Sequence, residues 1–550
     1  MESGDRVARK AVEQEELKRA RDGLDVWDDI RRYAAAGDYG AIPADDLERF
    51  KWFGIYRQKP NEGHFMVRIK IPGGRLTAMQ LREIGAFCQR YARDFGDVTT
   101  RQDIQLHWLT IRDMPELLDC VYNRLGMYQE FSCGDAPRNT TSCPLAGELA
   151  DEILDAGPFA RAIADMYRAG GKQFSNLPRK FKTAVGACPG HCHEPQLNCA
   201  SLFGVQRSRR NGIERGFGLM VGGGLRDTPH FAQSLRVFLR PDLDLVRDVF
   251  RRIAEIFRDQ DSLRQGRLRA RLKFYVADIG WQAFRDQLEQ RLGYRLEHDD
   301  DIIGPQGASH DDHMGIGELK NGLRWVGVPV PRGRLSGGQM IAIADLAGRF
   351  CRDPVRQINT TIKQNLILLN IAPPDVPELC ARLADLGLPT DAHPLRRQLL
   401  SCTGTQFCNL AVVETKDRAA RILEYLETHV PMDEPLFVSV TGCPNSCAQY
   451  QLADIGLQGV LYVWRGQKGV EHYHVLVGAR MGPDPLFADF ISRDGKKVKV
   501  PAELVHLSIE RLIRAWQAER GPGESFGDWA RRQEADRLAG LVEPPDEPPD

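Results

Sequence analysis

Hydrophobic and polar residues change their spacing along residues 64–111 in a way that predicts strand, turn, helix and strand. HFMVRIKIPGG (64–74) alternates as a strand does and ends in a glycine turn. LTAMQLREIGAFCQRYA (76–92) places apolar residues three and four apart, as in an amphipathic helix, and VTTRQDIQLHWLTI (98–111) predicts a strand pair. The charged segment before residue 50 predicts a helical arm.

The same order of motifs occurs twice. IKIPGGRLTAMQ (69–80) matches VPVPRGRLSGGQ (328–339), and SCPLA (142–146) matches FCNLA (407–411). GACPGHCHEPQLNCASLFGV (186–205) aligns without a gap to TGCPNSCAQYQLADIGLQGV (441–460), with 8 identities in 20 positions. Because the period is long, the pattern predicts a duplicated unit rather than a solenoid. Helical periodicity in 242–260 and 281–293 predicts a helical connector between the copies.

Composition excludes several classes of protein. The chain has 550 residues, 42% hydrophobic and 27% charged, with a net charge of −1. This balance is typical of a globular protein and disfavours a nucleic-acid partner. The sequence has no apolar stretch of the ~20 residues that span a membrane, and its charged start lacks the apolar core of a signal peptide. We therefore expect a cytoplasmic protein without a membrane partner.

Thirteen cysteines in such a chain favour metal or redox chemistry over disulfides. Cys402 and Cys408 lie in SCTGTQFCNL, and Cys443 and Cys447 lie in VTGCPNSC. Two close pairs in glycine-containing turns suit a site with four thiolate ligands, which holds either zinc or a 4Fe–4S cluster. The spacings are wider than the two-residue spacing of most structural zinc sites, which favours the cluster.

C-x5-C followed by GCPNSC (442–447) resembles the nitrite and sulfite reductases that contain sirohaem and a 4Fe–4S cluster. The resemblance covers about residues 50–530 and includes the duplication. It implies that Cys402, Cys408, Cys443 and Cys447 hold the cluster, and that Cys447 is also the axial ligand of the sirohaem iron.

The resemblance also implies an α+β fold with pseudo-twofold symmetry, in which two ferredoxin-like half-domains pair and two α/β units enclose sirohaem. The expected boundaries are an N-terminal arm (1–62), half-domain 1 (63–127), a sirohaem and substrate unit with the helical connector (128–320), half-domain 2 (321–388), a 4Fe–4S and sirohaem unit (389–500), and C-terminal helices and tail (501–550).

Sirohaem carries eight carboxylates and the substrate is an oxyanion, so the pocket needs many cationic donors. Four basic residues match the family's substrate-binding positions: Arg101, Arg138, Lys180 and Lys182. Strand alternation in LPRKFKTAV places both lysines on one face. The resemblance implies that these four residues bind the anion and supply protons to it.

The substrate and the electron donor follow from two further features. Sulfite reductases of this family tend to carry lysine at the position of Lys182, and nitrite reductases tend to carry asparagine there. A second cation also suits dianionic sulfite better than nitrite. We therefore expect six-electron reduction of sulfite to sulfide, with reduction of nitrite to ammonia as the alternative. Since no dinucleotide-binding fingerprint occurs, ferredoxin is the expected donor. A second alternative is a non-catalytic iron–sulfur or zinc protein.

Some features remain open in the sequence. The alignment of SCPLA with FCNLA places Cys143, Cys188 and Cys192 opposite Cys408, Cys443 and Cys447. We interpret these three as a remnant of the duplication; the alternative is a second metal centre completed by Cys133, Cys199 or His191. In some relatives Tyr56 and Cys133 are cross-linked, and we expect them unlinked here. The basic run Arg264, Arg267, Arg269, Arg271 and Lys273 binds sirohaem carboxylates or an acidic ferredoxin, or it is a solvated helix face. His298, His310 and His313 lie among aspartates as in a metal site, but we expect them in a solvated polar loop.

Overall fold

The computed structural model describes residues 2–58, 60–300, 302–303, 312–482 and 484–543. His310 and the tail after residue 543 lie outside them. Within these ranges no helix has the length and apolar character needed to cross a membrane.

Two small antiparallel sheets form the centre of the molecule, and each takes its last strand from the other repeat. The first small sheet contains, in spatial order, Ile55–Arg57, Phe65–Ile69, Ile104–Leu109, Gly96–Val98 and Arg334–Leu335. The second contains Ile316–Glu318, Arg324–Val328, Leu366–Ile371, Ile358–Thr360 and Arg75–Leu76. This reciprocal exchange of an edge strand gives the pseudo-twofold relation between the half-domains.

One helix from each repeat packs against its counterpart beside these sheets. The helices Ala78–Tyr91 and Gly337–Phe350 both begin with a capping box, formed by Thr77 in one and Ser336 in the other. They cross closely at two glycines, since a Cβ at Gly337 would lie 2.5 Å from the carbonyl oxygen of Gly85. The predicted strand–turn–helix–strand order is thus confirmed in both repeats.

Two larger mixed sheets flank the centre and share one topology. The first large sheet runs Gln233–Ser234, Gly212–Val221, Ala200–Arg209, Phe181–Gly186 and Pro137–Ser142. The second large sheet runs Leu399–Ser401, Val438–Thr441, Ile455–Trp464, Gln467–Val477 and Asp489–Phe490. In each, three neighbouring strands are parallel and the next is antiparallel. The α+β class and the duplicated architecture are therefore confirmed.

A pair of buried glutamines joins the four sheets. Gln102 accepts a hydrogen bond from a backbone N–H and donates one to a carbonyl of the other repeat, both at 2.8 Å, and Gln364 does the same at 3.0 Å. The backbone partners are Ser142 and Thr360 for the first glutamine, and Ser401 and Val98 for the second. Each amide also donates to a carbonyl of its own repeat, at 3.4 Å for Gln102 and 3.1 Å for Gln364. Both glutamines have positive φ, 60° and 63°. Each side chain therefore links a large sheet of its own repeat to a small-sheet strand end of the other half of the molecule.

These hydrogen bonds correct the alignment of the first cysteine in each repeat. Ser142 and Ser401 bind equivalent glutamines and end equivalent strands. The residue after each serine is a cysteine, so Cys143 is the counterpart of Cys402. The sequence alignment of Cys143 with Cys408 is therefore wrong, and the missing fourth position falls in the segment after Cys143. The short match SCPLA/FCNLA misled the alignment because it is local and contains no information about strand ends.

Helices cover the outer faces. They run Glu2–Ala20, Trp27–Ala36, Ala44–Arg49, Met114–Asp119, Gly157–Gly170, Leu243–Arg258, Leu272–Leu292, Val376–Asp385, Pro394–Gln398, Lys416–His429, Val505–Glu519, Phe526–Arg531 and Ala535–Val542. One continuous core packs the arm and connector helices against the small sheets and the first large sheet, and a separate core lies between the second large sheet and the C-terminal helices. The arm is held in place by Trp52, whose Nε1 donates to the carbonyl of Ser175 at 2.8 Å.

Candidate active site

The four candidate cluster cysteines lie on loops at one edge of the second large sheet. Cys402 directly follows the strand Leu399–Ser401, and Cys443 and Cys447 follow the neighbouring strand Val438–Thr441. Because these strands are parallel, both loops leave the sheet at the same edge. The fold thus brings together pairs that are far apart in sequence.

The loops supply hydrogen bonds to the sulfurs. The Gly442 N–H donates to Cys402 Sγ at 3.2 Å, and the Asn445 side-chain amide donates to Cys443 Sγ at 3.5 Å. Burial and the nearby Cys447 sulfur raise the pKa of Cys402 to about 12, against the opposing effect of the Gly442 and Gly404 amides. Such thiols bind a metal only as thiolates, which N–H···S bonds stabilise.

The spacing of these sulfurs fits a bulky centre. Within the part of the chain that the structure describes, no three of the sulfurs of Cys402, Cys408, Cys443 and Cys447 lie within 4.8 Å of one another. Their electrostatic influence on each other nevertheless shows that they share one site. A 4Fe–4S cube needs this wider separation because the cluster itself lies between its ligands. The residues present therefore fit the cluster better than a single ion.

Cys447 occupies the junction between the two repeats. Its side chain is exposed, unlike that of Cys443. Its carbonyl oxygen accepts a hydrogen bond from Thr100 Oγ1 at 3.0 Å, which ties its loop to the loop that carries Arg101. Its sulfur favours the charged forms of Lys180 and Arg68 on the opposite side of the cleft, although burial outweighs this effect on the pKa of Lys180. The exposed sulfur thus faces the basic residues of the first repeat.

The structure brings the four predicted basic residues into this one cleft. Arg101 is half-buried and donates to Asn198 Oδ1 at 3.1 Å and to the Thr183 carbonyl at 3.0 Å. Burial lowers the pKa of Arg101 to about 10. Arg138 donates to the Gly134 carbonyl at 2.9 Å. Both arginines are held by backbone and amide oxygens.

Lys180 and Lys182 line the same face, as strand alternation predicts. Among the described residues, neither ammonium has a hydrogen-bond or ion-pair partner. Burial lowers the pKa of Lys180 to about 7, and the Arg271 guanidinium is the next cause. Burial also places the pKa of Lys182 well below its usual value, aided by Arg101, Lys180 and Arg271. An anion between these groups would relieve their mutual repulsion.

The structure adds Arg68 and Arg271 to the site. Burial disfavours the charged form of Arg68, but its pKa is raised overall. The groups that raise it are Tyr56, Cys133, Asp103 and Cys447. The sequence signal for Arg68 is weak, since its place in FMVRI is that of any outward strand residue. Arg271 is 6% exposed and acts electrostatically on both lysines.

The basic run around Arg271 divides into separate roles. Arg264 and Arg267 form ion pairs with Glu15 at 2.7 Å and with Asp135 at 2.6 Å. These two arginines hold the arm and the first large sheet together. Arg269 lies exposed beside Asp278. Lys273 is buried, and burial lowers its pKa to about 7. Only the last part of the run faces the cleft.

Unpaired guanidinium nitrogens test the fit of a polyanionic cofactor. In this cleft the buried Nε atoms of Arg101, Arg138 and Arg271 have no hydrogen-bond partner among the described residues. The Nε of Arg226 has only a long ion pair, with Asp227 at 3.5 Å. A buried N–H without a partner costs about 1–3 kcal/mol. Carboxylates arriving in this cleft would satisfy such donors, so the residues present fit sirohaem.

Tyr56 and Cys133 lie next to each other in the same cleft. The Tyr56 hydroxyl accepts a hydrogen bond from Arg68 Nη1 at 3.2 Å. Although burial opposes ionisation, Arg138, Arg68 and a hydrogen bond with Tyr56 lower the pKa of Cys133. The two residues are separate side chains here, and the expectation that they are unlinked stays a prediction.

Comparisons with known proteins agree with this geometry. The model of the nitrite and sulphite reductase 4Fe–4S domain matches residues 133–296 and 393–547, and that of the nitrite/sulfite reductase ferredoxin-like half domain matches 56–120 and 318–386. Sulfite reductase (ferredoxin) 2 of Mycolicibacterium paratuberculosis is 36% identical over 95% of both chains. The assimilatory ferredoxin-dependent nitrite reductase of Haloferax mediterranei is 32% identical over 97% of this chain and 94% of its own.

A solved structure has the same fold. The NirA protein of Mycobacterium tuberculosis superimposes with a TM-score of 0.86 and 35% identity, covering 96% of this chain and 97% of that one. The chain therefore belongs to the nitrite and sulphite reductase family, whose members are oxidoreductases that use a 4Fe–4S cluster and sirohaem, as its motifs predict.

Proposed function

We propose that the protein reduces sulfite to sulfide by six electrons supplied by ferredoxin. The observation that carries this proposal is the half-buried pair Lys180 and Lys182, whose ammonium groups lack partners among the described residues. Lys180 also interacts electrostatically with the sulfur of Cys447 across the cleft. A site that holds two such groups is built for an anion with more than one negative charge.

In this proposal Cys402, Cys408, Cys443 and Cys447 would hold the cluster, and Cys447 would also help to hold the sirohaem. The units 128–320 and 389–500 enclose the sirohaem between them. The coupled cluster and sirohaem, when bound, supply the electrons to the substrate. Arg271 would meet a carboxylate of the sirohaem, since its Nε atom is buried without a hydrogen-bond partner among the described residues. Arg226, whose Nε atom has only a long ion pair with Asp227 at 3.5 Å, would meet another.

The basic residues bind the substrate and move its protons. Arg101 and Arg138 are oriented by their hydrogen bonds to Asn198 and Gly134, so that each retains an unpaired N–H for an oxyanion. Lys180, with a pKa of about 7, exchanges its proton readily near neutral pH. Each oxygen leaves the substrate as water, so repeated proton delivery at Lys180 Nζ and Lys182 Nζ is required.

Sulfite is preferred over nitrite in this proposal because a dianion gains more from the second lysine than a monoanion does. The names of two relatives point to one substrate each. These are the sulfite reductase (ferredoxin) of Mycobacterium tuberculosis and the ferredoxin–nitrite reductase of Synechococcus elongatus. Reduction of nitrite to ammonia at the same centre is therefore the second candidate function.

Ferredoxin is the proposed donor because the named relatives use it and the sequence contains no dinucleotide-binding fingerprint. The proposed compartment is the cytoplasm, where the 13 unpaired cysteines remain reduced.

The deciding experiment is steady-state kinetics of the full chain produced with sirohaem and iron–sulfur assembly. We expect kcat/KM with reduced ferredoxin to be higher for sulfite than for nitrite, and the absorption spectrum to show a Soret band. A higher value for nitrite would establish the second candidate function. A protein with the cluster but without a Soret band or activity would contradict both.

A further inference from the structure

A second group of cysteines occupies the matching edge of the first large sheet. Cys143 follows the strand Pro137–Ser142, and Cys188 and Cys192 follow the parallel strand Phe181–Gly186. The three side chains are 2%, 4% and 6% exposed. The local architecture is that of the cluster site, with one ligand position lacking a cysteine.

The donor atoms here converge far more closely than in the cluster site. Cys188 Sγ and Cys192 Sγ are 3.1 Å apart. Two sets of three donor atoms each lie within 4.8 Å of one another: Cys143, Cys192 and His313 in one set, and Cys188, Cys192 and His193 in the other. A tetrahedral zinc ion with Zn–S bonds of about 2.3 Å separates its sulfurs by roughly 3.8 Å. Each set therefore has about the dimensions of a single-ion site, and the two sets share Cys192.

A hydrogen bond to the backbone orients His193 so that one ring nitrogen is free to bind a metal. It is 1% exposed, and its Nε2 lies 2.9 Å from the Leu202 carbonyl oxygen, which only an N–H can approach as a donor. This contact assigns the proton to Nε2 and leaves a lone pair on Nδ1, which is buried and has no hydrogen-bond partner among the described residues. Metal-binding histidines are commonly held by such a bond from the other ring nitrogen to a backbone carbonyl. The glycine at position 186 leaves room for the His193 ring, since a Cβ at Gly186 would lie 2.2 Å from Nδ1 of His193.

His313 reaches the same group from the connector. The sequence places it in a solvated loop, but its side chain is 6% exposed, so that expectation is wrong. The neighbouring Asp312 receives two hydrogen bonds from Arg397, at 2.7 and 2.9 Å, which hold the segment in place. His313 Nε2 lies 3.6 Å from Cys143 Sγ, a distance suited to an N–H···S hydrogen bond.

We propose that Cys143, Cys188, Cys192 and His193 form a structural zinc site, with His313 as a hydrogen-bond donor to the Cys143 sulfur. The site is the pseudo-twofold counterpart of the cluster site, and His193 supplies the fourth donor that a cysteine supplies there. On binding, the three thiols release their protons to solvent, and no electron is transferred. The proposal departs from the interpretation of these cysteines as a remnant of the duplication, and it names His193 as the completing ligand in place of Cys133, Cys199 or His191. It does not depend on the substrate of the cleft.

The test is metal analysis of the full chain purified with its cofactors. We expect about one zinc per chain beside about five irons, and zinc-edge X-ray absorption showing three sulfur neighbours and one nitrogen. Cys192→Ser and His193→Gln should reduce zinc at least fivefold and leave the iron content unchanged. Cys88→Ser, a buried cysteine remote from this group, is the matched control and should retain zinc.

Several outcomes would overturn the assignment. Iron well above five per chain would mean a second cluster. A mass two hydrogens lower, with Cys188 and Cys192 joined in one peptide, would mean a disulfide. Zinc lost from His313→Gln but retained in His193→Gln would exclude His193 as the ligand. If a serine variant fails to fold, the zinc-edge X-ray absorption spectrum of the wild type and the release of zinc by a thiol-blocking mercurial still decide the question.

Discussion

The substitution Lys182→Asn tests whether charge selects the substrate. Lys182 lies in a cleft of like charges formed with Arg101, Lys180 and Arg271, and burial with these neighbours keeps its pKa well below the usual value. The cost of protonating Lys182 on substrate binding is the same for any anion. The difference between sulfite and nitrite therefore comes from the additional negative charge on sulfite.

The size of this difference follows from Coulomb's law. With an effective dielectric constant of about 20, one pair of unit charges is worth about 4 kcal/mol at 4 Å and about 2 kcal/mol at 8 Å. The smaller value corresponds to a factor of about thirty. We expect Lys182→Asn to lower the ratio of kcat/KM for sulfite to that for nitrite by about thirtyfold or more.

The assay compares both substrates with reduced ferredoxin and the same enzyme preparation. Lys182→Arg should keep the wild-type ratio, because it retains the charge. Lys172→Asn removes a surface lysine and should leave the ratio unchanged. A ratio for Lys182→Asn within threefold of the wild type, with sirohaem and iron contents intact, would refute the argument from charge.

Further predictions concern pH, the fold and the cofactor. The pKa of Lys180 near 7 predicts that the KM for nitrite is constant below pH 7, where the ammonium is already charged, and rises by up to tenfold per pH unit above pH 7. In Lys180→Arg the KM for nitrite should stay constant to about pH 9. Gln102→Leu should lower the free energy of unfolding by about 2–4 kcal/mol in urea titrations, because two buried backbone groups lose their partner; a loss below about 0.5 kcal/mol would contradict this. Arg271→Gln should lower the ratio of Soret to protein absorbance after gel filtration, whereas the exposed Arg269→Gln should not.

The cluster cysteines could be predicted from the sequence because their spacing is local and their turns are distinctive. The three cysteines of the proposed zinc site are also visible in the sequence as a candidate metal group. Its histidines are not, because His193 becomes recognisable only through the Leu202 carbonyl and His313 comes from a distant connector. The pairing of Cys143 with Cys402 likewise needed the strand ends, which short motif matches do not define.

The amino-acid sequence by itself determined the duplication, the order of strands and helices, and the two lysines on one face, because periodicity and repeats are properties of neighbouring residues. The tertiary structure decided the exchange of edge strands and the division of the basic run. Arg267 pairs with Asp135 whereas Arg271 faces the cleft, although both lie in one short segment. The physical reason is that a residue's own segment sets the direction of its side chain, whereas the group it meets belongs to a distant part of the chain.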